Sequence, residues 1–231
     1  MKIDILTLFP MMFDGFIHES IIKRAIESNI VEINIHNIRD YSKDKNKKVD
    51  DYPFGGGEGM VLMCEPIFDA VEDLKTENSK VILMTPQGRK YHQKMAYDLS
   101  KEKHLIIICG HYEGFDERIR TLADMEISIG DFILTGGEIP SMAITDSIVR
   151  LLGIIKEDSY KNESFDHNLL DYPVYTKPRV FRGMEVPEVL LSGHHENINA
   201  WRREEQEKRT LKRRPDLLEK RKKKKKKSIM L

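Results

Sequence analysis

Short apolar runs alternate with amphipathic runs along the first two thirds of the chain. Apolar runs at residues 3–9, 80–84 and 105–109 predict strands, and the last two have the continuous apolar character of strands buried on both faces. Residues 31–38 alternate apolar with polar side chains, which predicts a half-buried strand. Helical spacing of apolar residues predicts helices at 18–28, 65–74, 91–99 and 138–152. This alternation indicates βαβ units, and hence an α/β fold with a mostly parallel sheet and flanking helices.

The helical pattern stops after residue 152, and a polar stretch follows. Stretches of this kind commonly join domains. We therefore divide the chain into a domain at 1–155, an interdomain linker at 156–176 and a small, mainly helical domain at 177–231 that ends in a basic tail. A charged helical region is predicted from Asn197 to about Lys220, with an interruption at Pro215, because proline cannot donate the helical hydrogen bond.

Composition sets limits on the class of protein. With 40% hydrophobic residues in 231, the chain can bury a sizeable core, and it contains no apolar run long enough to predict a membrane span. The N-terminus enters a strand directly and lacks the features of a signal peptide. The two cysteines, Cys64 and Cys109, form neither a disulfide framework nor a zinc-binding spacing. We expect a cytoplasmic protein.

The net charge of zero conceals a strongly basic C-terminal region. Between Arg202 and Lys227 the sequence has fifteen Lys and Arg against five Asp and Glu, so this tail carries about +10. Contact with a polyanion is one interpretation, since phosphate neutralisation dominates nucleic-acid affinity. The other is a solvated helix face followed by a disordered lysine run at Lys222–Lys227. Charge alone leaves both interpretations open.

The segment 105–152 is the predicted functional site. Its glycines follow a buried strand and precede an amphipathic helix, which is where open α/β sheets usually bind ligands. The run Thr135–Glu138 matches the S/T-x-x-E capping box. Ordinary turns would also use glycines, and neither the Rossmann spacing nor the P-loop pattern occurs. The loops therefore suit a ligand held by backbone groups and shape.

Two motifs in this segment, CGHYEGFDERI and SIGDFILTGGE, are followed by a helix that carries Arg150. Together they resemble the cofactor half of bacterial tRNA (guanine-N1)-methyltransferases, which belong to the SPOUT class of knotted methyltransferases. The resemblance covers nearly the whole chain and includes, in the family's order, MKIDILTLFP, DDYPFGGGEGM, TPQGR, LLDYPVYTKP and VPEVLLSGHHENINAWR. Several independent motifs in one order make it highly specific.

The resemblance implies a fold, an activity and partners. It implies a deep trefoil knot at the end of the first domain and a second domain that binds tRNA. The implied reaction transfers a methyl group from S-adenosyl-L-methionine to N1 of the guanosine immediately 3′ of the anticodon, position 37. The implied protein is a homodimer. Carried over by motif, the cofactor-binding residues are Thr85, Pro86, Gly110, Glu113, Gly114, Ile129, Gly130, Phe132, Leu134, Gly136 and Gly137.

The reaction requires removal of a proton from guanine N1. An ordinary aspartate is a weak base for that proton, but it becomes effective if a cation stabilises the charge that develops on O6. Arginine suits this second role because it stays charged and has a forked donor. By the motif match, Asp171 is the general base and Arg150 the stabilising cation. Without that match, Asp171 would be an ordinary linker carboxylate and Arg150 a charge at a helix end.

The sequence departs from the family at several positions. Tyr52 and Phe132 stand where relatives often carry Arg and Tyr, and His111 stands where some carry Arg. Val174 and Lys177 replace His and Arg of many relatives, which puts tRNA contacts there in doubt.

No metal ligand is assigned. Dependence on Mg²⁺ is a family expectation only. Cys109 has no second cysteine at zinc spacing, and the adjacent His194 and His195 do not share a helix face.

Two rival functions follow from the same features. One is a SPOUT methyltransferase that acts on rRNA or on a ribose hydroxyl; the LLDYPVYTKP and SGHHENINAWR segments favour the guanine-N1 family instead. The other is a non-catalytic RNA-binding protein that uses the basic tail, and binding of S-adenosyl-L-methionine would argue against it.

Overall fold

A sheet of five parallel strands organises Met1–Ile155, the first of two units into which the chain divides; the second begins at Lys156. The computed structural model describes residues 1–155, 163–165 and 168–219. Within the first unit the strands are β1 (Lys2–Thr7), β2 (Glu32–Asn37), β3 (Asp50–Asp51), β4 (Val61–Leu62), β5 (Ser79–Lys90), β6 (His104–Cys109) and β7 (Met125–Ser128). The sheet order is β2-β1-β6-β5-β7, while β3 and β4 pair as a separate antiparallel hairpin.

The helices of the first unit connect these strands. They are α1 (Asp14–Ile17), α2 (Ser20–Glu27), α3 (Cys64–Leu74), α4 (Gln93–Leu99) and α5 (Glu138–Val149). Short 3-10 turns occupy Pro10–Phe13, Ile38–Tyr41 and Glu117–Leu122, and a π turn, Arg150–Ile154, follows α5. The predicted α/β fold with a mostly parallel sheet is therefore confirmed.

Two hydrophobic clusters cover the two faces of the sheet. Side chains alternate between faces along a strand, so the residues of β6 divide between the clusters: Leu105 and Ile107 join one, and Ile106 and Ile108 join the other. Helices α2 and α5 pack on the face of Ile107, and α3 packs on the opposite face. Every residue of β6 is buried, as the continuous apolar run predicted.

Several element boundaries differ from the prediction. The strand predicted at 80–84 extends to Lys90, with an irregular register between Met84 and Arg89. Strand β7 was not predicted, because its four residues are too few to give a periodic signal. The helix predicted at 138–152 ends earlier, at Val149. The π turn Arg150–Ile154 follows it, and Gly153 within that turn has φ +90°.

A buried carboxylate of β1, Asp4, has partners from β1, β2 and β6. Asp4 is fully buried, and its oxygens accept hydrogen bonds or ion pairs from Lys2 (2.9 Å), Asn34 (3.0 Å), His36 (3.0 Å) and His104 (2.6 Å). Burial alone would raise the pKa of Asp4, but these four partners outweigh it and hold that pKa well below its usual range. His36 occupies a polar position of the strand predicted at 31–38, yet it is half-buried and belongs to this cluster.

The second unit contains a hairpin and a long helix. The hairpin pairs β8 (Val180–Phe181) with β9 (Met184–Glu185), a 3-10 turn follows at Glu188–Leu191, and α6 spans His195–Arg213. Helix α6 starts two residues before the predicted start and ends just ahead of Pro215, where the interruption was predicted. The lysine run at 222–227 lies outside the described residues. The predicted linker and the predicted role of this unit stay predictions.

Candidate functional site

A cavity of about 490 Å³ opens at the edge of the sheet where β6 and β7 end and where β5 has its irregular register. Its lining comes from Met84–Gln87 within β5 and from the loops that follow β6 and β7. In parallel sheets this edge is where ligands usually bind, because the loops that leave it present backbone groups and helix starts. All eleven residues that the sequence analysis assigned to cofactor binding line this cavity, namely Thr85, Pro86, Gly110, Glu113, Gly114, Ile129, Gly130, Phe132, Leu134, Gly136 and Gly137. Their role as cofactor contacts stays a prediction.

Glycine is required where the loop after β7 meets the loop after β6. The backbone N–H of Gly137 donates to the carbonyl of Gly110 (2.8 Å), and His111 and Gly136 form an isolated β-bridge. A Cβ on Gly137 would lie 2.8 Å from both the Cα of Cys109 and the backbone nitrogen of Gly110. Such contacts are with backbone atoms and cannot be relieved by a rotamer change. The two loops therefore join only because position 137 has no side chain.

The glycine-rich segment 55–59 borders the loop after β6. Gly59 has φ +79°, and a Cβ there would lie 2.5 Å from the Cγ of Glu113. Beyond this segment, the backbone N–H of Leu62 donates to the carbonyl of Gly114 (3.0 Å), and the N–H of Asp116 donates to the carbonyl of Leu62 (2.9 Å). The β3–β4 hairpin thus supports the cavity wall from outside.

An arginine network that the sequence did not predict forms one side of the cavity. Arg120 donates to Oε1 of Gln87 (2.8 Å) and to Oε2 of Glu117 (2.9 Å), and it pairs with Glu126. Gln87 lies in the TPQGR motif, but no role was assigned to it. Nothing in the spacing of Arg120 indicates that it would meet Gln87 of β5.

The capping box predicted at Thr135–Glu138 is wrong. Helix α5 begins at Glu138, Gly137 is its N-cap, and no side chain caps it. The Glu138 carboxylate, only 2% exposed, instead accepts a hydrogen bond from Oγ1 of Thr7 at the end of β1 (2.8 Å). Glu138 therefore pairs with Thr7, 131 residues away along the chain, and not with the backbone N–H that the capping box would provide.

The second oxygen of Glu138 faces His111. Its Oε2 lies 3.9 Å from Nδ1 of His111. This nitrogen atom is buried and has no hydrogen-bond partner among the described residues. The imidazole packs against the ring of Phe9 (4.7 Å between centroids) and that of Tyr112 (5.0 Å). Sequence reasoning had singled out His111 only as a departure from relatives.

Cys109 is a buried cysteine next to the cavity-lining Gly110, and its thiol is expected to be unreactive. It is fully buried, and its Sγ lies 3.4 Å from Oγ of Ser141. Burial raises the pKa of the thiol well above its usual range. A protonated thiol is a poor nucleophile, so Cys109 is not suited to nucleophilic catalysis.

The two predicted catalytic residues lie in different units. Arg150 begins the π turn after α5 in the first unit. Asp171, in the second unit, is half-buried. Its Oδ1 accepts from the backbone N–H of Tyr172 (2.7 Å), and its own N–H donates to Oγ of Ser164 (3.1 Å). Their catalytic roles stay predictions.

Contacts with α6 hold the segment around Asp171 within its unit. Oγ1 of the buried Thr210 accepts from the N–H of Leu170 (2.8 Å), and a guanidinium nitrogen of Arg209 lies 3.4 Å from the carbonyl of Asp171. The guanidinium of Arg202 stacks 4.8 Å from the ring centre of Tyr172.

Neither a metal cluster nor a membrane span occurs in the part of the chain that the structure describes. No group of three or more His, Cys, Asp or Glu among those residues is placed to hold a metal ion. None of the described helices has both the length and the apolar character needed to cross a bilayer.

Comparison with known proteins identifies the family. Residues 1–220 match the model of the family described as tRNA (Guanine-1)-methyltransferase TrmD. The chain is 57% identical over 209 residues to the tRNA (guanine-N(1)-)-methyltransferase of Staphylococcus carnosus, strain TM300, a match that covers 89% of this chain and 85% of that protein. The protein of the same name from Staphylococcus aureus, strain JH9, shows the same identity and coverage. The chain therefore belongs to the tRNA (guanine-N1)-methyltransferase family.

Proposed function

We propose that this enzyme transfers a methyl group from S-adenosyl-L-methionine to N1 of guanosine 37 in tRNA. The observation that carries the proposal is the convergence of three separate motifs around one cavity: one lies within β5, and the other two lie in the loops after β6 and β7. Family membership supplies the reaction class, and the cavity supplies a place for the donor. We place the reaction in the cytoplasm.

The cavity suits a nucleoside with a short amino-acid extension. Its volume, about 490 Å³, lies within the usual range for small-molecule sites. Apolar side chains of Ile129, Phe132 and Leu134 offer surface to an adenine ring, and the loop backbones offer hydrogen bonds. Two carboxylates, Glu113 and Glu117, line the cavity, and Glu113 would face the ribose or the methionine part. Phe132 has no hydroxyl, so any polar contact at that position must come from the backbone.

Asp171 and Arg150 would activate the guanine. S-adenosyl-L-methionine supplies a methyl group on a positively charged sulfur, which a nucleophile with a free lone pair can attack. In this proposal Asp171 removes the proton from N1, and Arg150 stabilises the negative charge that develops on O6. Holding the base close to the donor contributes through proximity and orientation. The support for these two roles is the motif match.

We further propose that two copies of the chain form the active unit, with Asp171 of one chain acting at the cavity of the other. The family resemblance supports this arrangement. Mixing Asp171→Ala chains with Arg150→Ala chains tests it: a shared site predicts that the mixture regains part of the activity that each variant lacks. Additive residual activities with no regain would count against shared sites.

The deep trefoil knot and the small tRNA-binding domain at 177–231 are also proposed from the resemblance. The path after β7 is compatible with threading: β7 is an edge strand beside β5, yet residues 136 and 137 contact residues 110 and 111 after β6. The chain must therefore pass the end of β5 to reach them. A requirement for Mg²⁺ rests on the family alone, and no residue is proposed as its ligand.

One experiment separates the proposed function from its rivals. The purified chain is incubated with unmodified tRNA and S-adenosyl-L-methionine carrying a labelled methyl group, and the modified nucleoside is then mapped. Label in 1-methylguanosine at position 37 is expected. Label in a ribose methyl group or in rRNA would support another SPOUT methyltransferase. Absence of both methyl transfer and donor binding would support a non-catalytic RNA-binding protein.

A further inference from the structure

Glu138 is a buried carboxylate whose two oxygens have an incomplete set of partners among the residues that the structure describes. Thr7 satisfies Oε1, and the start of helix α5 provides a favourable dipole, but Oε2 is 3.9 Å from Nδ1 of His111, too far for a hydrogen bond. A buried charge is costly unless an opposite charge or hydrogen bonds compensate it. The imidazolium form of His111 would provide that compensation.

The absence of a side chain at Gly136 allows Glu138 and His111 to lie close together. A Cβ on Gly136 would lie 2.6 Å from Nδ1 of His111, and it would also collide with Oε2 of Glu138. The space between the carboxylate and the imidazole is therefore kept open by the missing side chain. Nδ1 is itself buried without a partner among the described residues, so a proton on it has one obvious acceptor.

We propose that protonated His111 is a positioning residue that pairs with Glu138 and clamps the loop after β6 onto the loop after β7. His111 itself lines the cavity and precedes Glu113 and Gly114, while Glu138 follows Gly136 and Gly137. The pair would thus fix the distance between two walls of the cavity. This inference rests on the proposed function, since it assigns the consequence to binding of the adenosine part of the donor.

The consequence is a pH-dependent affinity. Glu138 faces His111 from α5, Phe9 packs on it from the end of β1, and Tyr112 and Glu113 neighbour it in its own loop. Loss of the imidazolium proton removes the opposite charge from Glu138 and loosens the clamp. The affinity of the cavity for adenosine is expected to fall about fivefold as His111 loses its proton. A fivefold change is at the low end of the range usually found for coupling between two sites.

Calorimetric titration of the full-length chain with 5′-methylthioadenosine from pH 5.5 to 8.5 tests the clamp. This probe keeps the adenosine and the sulfur but lacks the amino-acid group, whose own titration would obscure the result. His111→Arg keeps a permanent cation and is expected to bind tightly at every pH. His111→Gln is expected to bind about fivefold more weakly at every pH. The unaltered chain should bind as tightly as His111→Arg at low pH and as weakly as His111→Gln at high pH. The change in affinity should follow the titration of labelled His111 measured by NMR.

Two results would overturn the clamp. Equal, pH-independent affinities of the unaltered chain, His111→Arg and His111→Gln would reject it while leaving donor binding intact. Absence of binding by the unaltered chain at every pH, both to the probe and to S-adenosyl-L-methionine, would reject the proposed function and the clamp with it. Glu138→Gln provides the reciprocal check, because it should abolish the pH dependence even though His111 is unchanged.

Discussion

Oγ1 of Thr7 donates a hydrogen bond to Oε1 of Glu138 across 2.8 Å, although 131 residues separate the two in sequence. The same hydroxyl accepts the backbone N–H of Phe9 (2.9 Å). Through this threonine the end of β1 is tied to the first residue of α5, directly behind the loops that form the cavity. The position of the cavity's rear wall therefore depends on the first strand of the chain.

Thr7→Val is expected to destabilise the protein by about 1–3 kcal/mol. The substitution keeps the shape but leaves a buried carboxylate oxygen without its donor. Urea unfolding measures the change. Thr145→Val is the matched control, because Thr145 is equally buried and its Oγ1 has no hydrogen-bond partner among the described residues. A neutral or stabilising effect is expected there, and equal losses for both variants would contradict the importance of the Thr7 contact.

Asp4→Asn is expected to destabilise the protein by about 3 kcal/mol at neutral pH, because it removes a buried charge that pairs with Lys2 and accepts three further hydrogen bonds. The pKa of Asp4 is lower in the folded protein than in the unfolded chain, so its contribution is fully present above about pH 4. That contribution is lost as the pH falls below about 4 towards the folded-state pKa. The difference between the two proteins should shrink accordingly.

Unfolding midpoints at pH 7, 5 and 3 measure this difference for Asp4. Asp40→Asn is the control, since Asp40 is an exposed carboxylate paired with Lys47 (2.6 Å), and exposed pairs contribute little. A gap between Asp4→Asn and the unaltered chain that stayed constant down to pH 3 would show that the carboxylate charge is not what stabilises this cluster.

Gly137→Ala is expected to weaken donor binding at least about tenfold, equivalent to about 1.4 kcal/mol. The added Cβ would press on backbone atoms of Cys109 and Gly110, and relief requires the two loops to separate. Titration with S-adenosyl-L-methionine measures the affinity, and circular dichroism checks folding. Gly15→Ala in α1 is the control, because a Cβ there meets nothing within 4 Å. Unchanged affinity in a folded Gly137→Ala chain would argue that the loops bind no donor.

Iodoacetamide is expected to modify Cys64 and to spare Cys109 in the folded protein. Cys64 is partly exposed at the start of α3, whereas Cys109 is buried and its thiol pKa is raised by burial. Mass spectrometry of the treated chain gives the sites. In denaturant both cysteines should react, which shows that protection comes from the fold. Fast labelling of Cys109 in the native chain would contradict its burial.

Asp171→Ala is expected to lower the single-turnover rate of tRNA methylation by a factor of about 10²–10⁴, the usual range for a general base. Donor affinity should stay unchanged, because in the proposed mechanism Asp171 acts on guanine N1 and not on the donor. Asp216→Ala is the control, an exposed aspartate of the same unit paired with Arg214 (2.8 Å). A near-normal rate for Asp171→Ala would remove it from the mechanism.

The hydrophobic pattern alone determined the α/β class, the parallel sheet and the buried character of β6. Strands covered on both faces need continuous apolar runs, and a run such as 105–109 leaves little alternative. Family motifs then selected eleven residues that the fold brings to one cavity. They come together because the motifs lie at the same edge of the sheet, within β5 and in the loops after β6 and β7. Their role in cofactor binding stays a prediction.

Only the tertiary structure decided which polar groups became partners. Glu138 matched a local capping pattern, yet it turned inward to Thr7, and His36 and His104 met over Asp4 from strands far apart in sequence. Such pairings depend on strand order and register, which periodicity does not encode. The strand at Met125–Ser128 likewise forms because it pairs in parallel with β5. Local patterns specify where chain segments are buried, whereas long-range packing decides what each buried polar atom meets there.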